Sequence, residues 1–153
     1  MIHYLHREQI IPASRERVWE YFCDPRNLNE ITPPDMNFEI VAGGDVRMYP
    51  GQLIEYRVEF IRGMRSLWLT EIAHVRDLEF FVDEQRVGPY RFWYHEHYFQ
   101  DVAAGTRMID HVSYVIPFGV LGDMLNAIWI GASLTRIFDF RRQKILELFG
   151  DVE

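Results

Sequence analysis

Apolar and charged residues alternate without interruption between Gln52 and Ile61, with Ile54, Tyr56, Val58 and Phe60 on one side and Glu55, Arg57 and Glu59 on the other. Such a run is a strand with one buried face and one wet face, as antiparallel sheets allow. Met36, Phe38 and Ile40 alternate in the same way with Asn37 and Glu39. Further strands are predicted over residues 3–11, 65–73, 78–85, 90–100 and 106–116, the first with apolar groups on both faces, which leaves its orientation open. Turn-like links divide them at Arg62-Gly63, at residues 74–77, at Val87-Gly88-Pro89 and at Val102-Ala103-Ala104-Gly105.

Helical periodicity occurs in two places. Pro12-Ala13-Ser14 breaks the first strand, and Ser14 is a fitting N-cap for a helix through Phe22 with Val18, Trp19 and Phe22 as its stripe. Asp24-Pro25 opens a second short helix, which Thr32-Pro33-Pro34 stops. After Pro117 the period becomes 3.6. Leu121, Met124, Leu125, Ile128, Ala132, Ile137, Phe138, Ile145 and Leu148 mark a helix to about Phe149, ended by Gly150. It would span roughly 40 Å. Gly131 falls inside it, at a cost of about 1 kcal/mol against alanine; a close approach, room for a ligand or a tolerated neutral position would each account for it. The order is strand, two short helices, six strands, long helix, with no repeats or linkers. The expected fold class is α+β: a curved antiparallel sheet of about seven strands around a long C-terminal helix, one domain over residues 1–150. A meander must bury one face, and only the last helix is long enough to cover it.

Parity orients the final hairpin. If Val102-Ala103-Ala104-Gly105 is its loop, Asp101 pairs with Thr106, and then Phe99 faces Met108, His97 faces Asp110, His95 faces Val112 and Trp93 faces Tyr114. Met108, Val112, Tyr114 and Ile116 are independently the apolar set of their strand, so Trp93, His95, His97, Phe99 and Asp110 are expected inside. A change of one residue in the loop would reverse this. In the two strands before, one face carries Trp68, Thr70, Phe81, Asp83 and Gln85 and the other Leu67, Leu69, Phe80 and Val82. Apolarity favours the second set as core, and alternation does not decide.

A chain of 153 residues fits one domain and buries about 70% of its unfolded surface without needing disulfides or metal. Aromatic residues at 15% suit a core, and equally the walls of a cavity for ring-bearing ligands. The single cysteine, Cys23, excludes an internal disulfide and reads as a buried, inert thiol. A net charge of −7 repels nucleic acid and anionic membranes. The one dense basic cluster, Arg136, Arg141, Arg142 and Lys144, complements a helix C-terminus and offsets Asp139 and Glu147. No apolar run reaches the roughly 18 residues of a membrane span, and Met1 leads into no signal sequence, so a cytoplasmic location is expected.

Pro12-Ala13-Ser14 running into Val18-Trp19, followed by Asp24-Pro25-Arg26-Asn27-Leu28, resembles the start of the START and polyketide-cyclase-like (SRPBCC) superfamily, which shares the birch-pollen-allergen helix-grip fold. Phe81-Val82-Asp83-Glu84-Gln85, then Gly88-Pro89-Tyr90, Trp93, His95-Glu96-His97 and Phe99, is similar to a bacterial ligand-binding subgroup, as are Gly105-Thr106, Met108, Asp110, Tyr114 and Pro117-Phe118-Gly119. The resemblance covers nearly the whole chain. It implies the fold, and it implies that Trp68, Asp83 and Gln85 face a cavity, against the count of apolar residues. Function does not follow from it, because one fold hosts many activities. The cysteine and histidine ligands of the iron–sulfur-bearing relatives are absent.

His95 and His97 share a strand face with Asp110 opposite, which admits three readings: a hydrogen-bonded wall, a grip on the polar end of a ligand, or catalysis. A histidine steered by a carboxylate can act as a general base, which makes His97 and Asp110 the candidate catalytic pair of a cyclase or dehydratase. Two histidines and one or two carboxylates also form a zinc or iron donor set. No helical metal motif accompanies them, and no metal or cofactor is expected. The function expected is binding of an apolar small molecule, a lipid, isoprenoid or polyketide-like compound. Tyr56, Trp68, Trp93, Phe99 and Tyr114 would form its walls, and Asp83, Gln85, His95, His97 and Asp110 its polar contacts. The alternatives are the cyclase-type enzyme and an interaction domain with a vestigial cavity. Ligand identity and oligomeric state stay open.

Overall fold

The elements run β1 (His3–Ile11), α1 (Arg15–Phe22), 3-10 turns at Pro25–Asn29 and Pro34–Met36, β2 (Glu39–Ala42), β3 (Gln52–Ile61), β4 (Met64–Arg76), β5 (Phe80–Val87), β6 (Phe92–Val102), β7 (Gly105–Val115), α2 (Gly119–Leu125), a π-helical turn at Asn126–Ile130, and α3 (Gly131–Phe149). This computed structural model describes residues 1–61 and 63–150, and of Phe60, Ile61, Leu125 and Asn126 the backbone alone. Arg62 of the expected turn and the side chains of Phe60 and Leu125 therefore lie outside the described residues. All seven strands form one antiparallel sheet in the order β1-β7-β6-β5-β4-β3-β2. The meander thus runs from β2 to β7, and β1 returns to the far edge.

Local chemistry sets the short helices. The Ser14 hydroxyl accepts from the Arg17 amide at 3.4 Å, and the Asp24 carboxylate accepts from the Arg26 amide at 3.0 Å. Each satisfies a donor that the first helical turn leaves unpaired. Val18, Trp19 and Phe22 are the buried residues of α1, as its stripe requires. Trp19 is wholly buried and stands edge-on to Phe81 and Phe99, with centroids 6.1 and 5.3 Å away, so α1 closes one end of the sheet. The stretch expected as an early strand is shorter than its alternation implies. Met36 belongs to a 3-10 turn and Asn37 takes a left-handed φ of 43°, which leaves only Glu39–Ala42 to pair with β3.

The C-terminal helix departs from its expected stripe. In α3 the buried residues are Leu134, Ile137, Phe138 and Ile145, spaced for one helical face. Leu121, Met124 and Ile128, expected on that face, are 59%, 57% and 75% exposed. Helix geometry explains why: at 3.6 residues per turn these three share a face with one another, but that face lies roughly 80–140° round the axis from the one that α3 buries. Gly131 is the first residue after the π-helical turn. Gly150 ends α3 with φ 94°, and its amide donates to Leu146 O at 2.8 Å. Among the described residues no helix is long and apolar enough to cross a membrane.

Candidate functional site

The β6–β7 hairpin has the register that parity requires: Asp101 opposite Thr106, Phe99 opposite Met108, His97 opposite Asp110, His95 opposite Val112 and Trp93 opposite Tyr114. Val102 also pairs with Gly105, so the reversal is made by Ala103-Ala104 alone. Period-2 alternation then turns Trp93, His95, His97 and Phe99 inward, and all four are buried. On β5 the inward set is Phe81 and Asp83, which stand opposite His97 and His95. On β4 it is Trp68, Thr70 and Ile72, and an extra residue at Ala73 bulges the strand so that Val75 rather than His74 meets Phe81.

The face chosen in β4 and β5 is thus the more polar one. Leu67, favoured by apolarity, is 45% exposed. Val82 is buried, but on the outer face, in register between His74 and Glu96. An inward Trp68–Asp83 face makes sense because the space behind it is not filled by apolar side chains. A cavity of about 150 Å³ lies there, between the sheet, the segment after α1 and helix α3. Tyr56, Trp68, Asp83, Trp93, His95 and His97 line it. Four residues expected at the site lie elsewhere. Phe99 belongs to the core with Trp19 and Phe22, and Tyr114 packs behind Trp93 at 6.1 Å between centroids. The Gln85 amide donates to Tyr90 O at 2.6 Å while its oxygen accepts from Tyr90 N at 3.1 Å, which pins the β5–β6 connection. Asp110 stands behind the two histidines.

Four ionisable groups meet at the cavity's polar end. Asp110 Oδ1 is 2.9 Å from His95 Nε2 and 3.0 Å from His97 Nδ1, although the second contact is out of line for a hydrogen bond and leaves that nitrogen unpartnered. Asp83 Oδ2 is 2.9 Å from His97 Nε2 and 3.4 Å from His95 Nδ1. Asp83 Oδ1 accepts from Trp93 Nε1 at 3.3 Å. Burial, the largest single influence on both carboxyls, disfavours their charge. The two histidines outweigh it and hold Asp83 and Asp110 below the usual carboxylate range. Burial and the neighbouring His97 push His95 down. At His97 burial is overcome by Asp110 and Asp83, which hold it up. Asp83, 19% exposed, is the least buried of the four and faces the cavity. One donor atom each from Asp83, His95 and His97 lies within 4.8 Å of the others, close enough to share an ion.

No protein-family model matches the sequence, and no curated protein does. Solved structures match over nearly the whole chain. The Zhui aromatase/cyclase from Streptomyces sp. R1128 is similar at a TM-score of 0.74 and 16% identity, covering 96% of this chain and 93% of that one. Protein CV1439 from Chromobacterium violaceum is similar at 0.73 and 15%, covering 97% and 98%. Ara h 8.0201 is similar at 0.66 and 16%, covering 96% and 99%. The chain has the helix-grip fold.

In this helix-grip chain the sequence reading missed the wall opposite the sheet. Ile31, Met36, Leu134, Ile137 and Phe138 line the cavity from the turns and α3. Periodicity marks Ile137 and Phe138 as apolar, but it does not distinguish a residue that packs on the sheet from one that faces a gap. Arg141 also lines the cavity, its guanidinium carbon 4.9 Å from the Phe138 ring centre. Charge alone places it in the basic cluster of the helix end.

Proposed function

We propose that the protein binds an apolar, ring-bearing small molecule in the cavity between sheet and α3, with a hydroxyl-type donor on the ligand meeting Asp83. The observation that carries this reading is the composition of the wall: aromatic and aliphatic side chains make up most of it, and Asp83, His95 and His97 converge at one place on the sheet side. That is the pattern of a ligand site, apolar for affinity and polar at few points for orientation. A space of about 150 Å³ is of the order that admits a benzene-sized ring when its lining is apolar. Because Asp83 and Asp110 together carry two negative charges against the histidines, the polar end favours a hydrogen-bond donor over an anionic head. Trp68 and Trp93, whose centroids are 5.3 Å apart, would offer faces to the ring.

The test uses phenol and benzene as probes, with ligand-detected NMR as the readout. The wild type is expected to bind both and to prefer phenol. Asp83→Asn keeps benzene binding and loses most of the preference. Val58→Phe fills the space from β3 and abolishes both. A wild type that binds neither probe contradicts the proposal.

The second reading, acid–base catalysis, is favoured by one observation. His97 faces the cavity with Asp83 on Nε2 and Asp110 beside Nδ1, so a carboxylate supports the imidazole from either side. In that reading Asp83 joins the pair His97 and Asp110: a carboxylate oxygen of Asp83 takes the proton from a carbon beside a ligand carbonyl, while His97, held by Asp110, donates its Nε2 hydrogen bond to Asp83.

A further inference from the structure

We infer that Asp83, His95 and His97 form a binding site for a divalent transition-metal ion of the zinc class, with Asp110 as the outer carboxylate that orients both imidazoles. This departs from the expectation of no metal drawn from the sequence. It stands apart from the organic ligand proposed above, since it needs only the ion.

The spacing of the donors carries the argument. Nitrogen and oxygen ligands sit about 2.0–2.2 Å from zinc, and in a tetrahedral array such ligands are about 3.3–3.5 Å from one another. Asp83 Oδ2 is 3.4 Å from His95 Nδ1 and 2.9 Å from His97 Nε2. The first distance is that of two ligands sharing an ion, and too long for a good hydrogen bond. The second needs only a few tenths of an ångström of opening. An ion among these atoms replaces the poor Asp83–His95 contact and the Asp83–His97 hydrogen bond with three coordinate bonds.

The nitrogens on the far sides of the rings complete the pattern. With Nδ1 of His95 and Nε2 of His97 turned to the ion, the remaining His95 Nε2 and His97 Nδ1 both lie within 3.0 Å of Asp110 Oδ1. A metal-bound histidine commonly donates its second N–H to a carboxylate, which fixes its tautomer and raises its basicity. Here one aspartate serves both rings, which stand 3.7 Å apart at an interplanar angle of 35°. His97 Nδ1 is buried without a hydrogen-bond partner, and it gains its natural acceptor once a small rotation brings Nε2 toward the ion.

Charge points the same way. Two carboxylates face two imidazoles in the interior, and the two charges of a divalent ion match those of the carboxylates. Carboxylates buried without a cation are costly, and the ion offsets that cost. Three protein ligands leave at least one coordination position free. Asp83, His95 and His97 all line the cavity, so a free position there is available to water or to a ligand oxygen, as in catalytic rather than structural sites.

The chain has six histidines, and an accidental site has to be told apart. His6 and His111 face each other across β1 and β7 with ring centroids 4.6 Å apart on the outer surface. The experiment is a Co2+ titration of the full chain after chelation, followed by visible absorption, with Zn2+ as the competitor. The expected result is one ion per chain, with the strong visible bands of four-coordinate Co2+ removed by Zn2+. Asp83→Asn and His97→Gln should abolish those bands, and Asp110→Asn should weaken binding about 10–100-fold. His111→Ala should change nothing. Circular dichroism shows whether each variant is folded. Should the cluster variants unfold, Zn2+ added to the wild type is expected to shift the imidazole signals of His95 and His97, and not those of His6 and His111, in NMR spectra. A folded wild type that takes up no Co2+, or uptake that survives Asp83→Asn and is lost in His111→Ala, overturns the inference.

Discussion

Asp110 is 6% exposed and reaches its partners only through the two histidines in front of it, so its replacement tests how the cluster is held. Its folded carboxyl titrates below the unfolded value of about 3.9. A group depressed in this way contributes stability that is complete above its unfolded pKa and is lost as the pH falls through its folded pKa. Asp110→Asn in chelated protein is expected to cost about 3 kcal/mol near neutral pH, as when one partner leaves a buried ion pair. The difference in melting temperature between the two proteins should shrink as the pH drops below about 4; a gap independent of pH counts against a charged Asp110. Cys23 gives a second check at this scale. Burial pushes its thiol up to about 12, so a thiol reagent at neutral pH should modify it only as fast as the protein unfolds. The sequence revealed the pairing of His97 with Asp110 because two residues opposite each other in a known register need no further information. It did not reveal that Asp110 serves His95 as well, since that depends on how far each ring leans along the strand.

At the scale of elements, the β6–β7 hairpin holds both histidines and Asp110 in place, and its register depends on a two-residue reversal. Gly105 follows that reversal with φ +131°, and a Cβ there would lie 2.2 Å from Ile11 O on β1. Gly105→Ala therefore combines a backbone strain of about 1–3 kcal/mol with a clash against main chain. The expected result is a melting temperature lower by several degrees or more, together with broadened His95 and His97 signals in NMR spectra. An unchanged melting temperature would mean that the hairpin tolerates another path. This register was legible because loop length and apolar alternation agreed. The facing of β4 and β5 was not, because Ile61 pairs with Met64 but Glu59 with Arg65; this one-residue slip beside the β3–β4 turn puts Trp68 rather than Leu67 on the inward face, and nothing in composition announces a bulge. In the last helix Leu121, Met124 and Ile128 fit a helical stripe of their own, yet at 3.6 residues per turn it lies on a different side from Leu134, Ile137, Phe138 and Ile145, the face that α3 buries.

For the molecule as a whole, the sheet and the C-terminal helix were readable from a change of period at Pro117 and from the need of one sheet face for a cover. The hollow between them was not. Whether α3 fills the space over β3 to β6 is decided by where it crosses, and that follows from long-range packing of α1, α3 and β1 rather than from any local pattern. The central claim is that this space is open, apolar along most of its wall and polar at the Asp83 end. Diffraction from crystals of the wild type under xenon pressure tests it most directly, since xenon enters dry apolar cavities and scatters strongly. The account predicts a xenon peak among Ile31, Trp93, Leu134 and Phe138, absent in crystals of Val58→Phe. Crystals that diffract well under pressure and show no xenon between the sheet and α3 would contradict it.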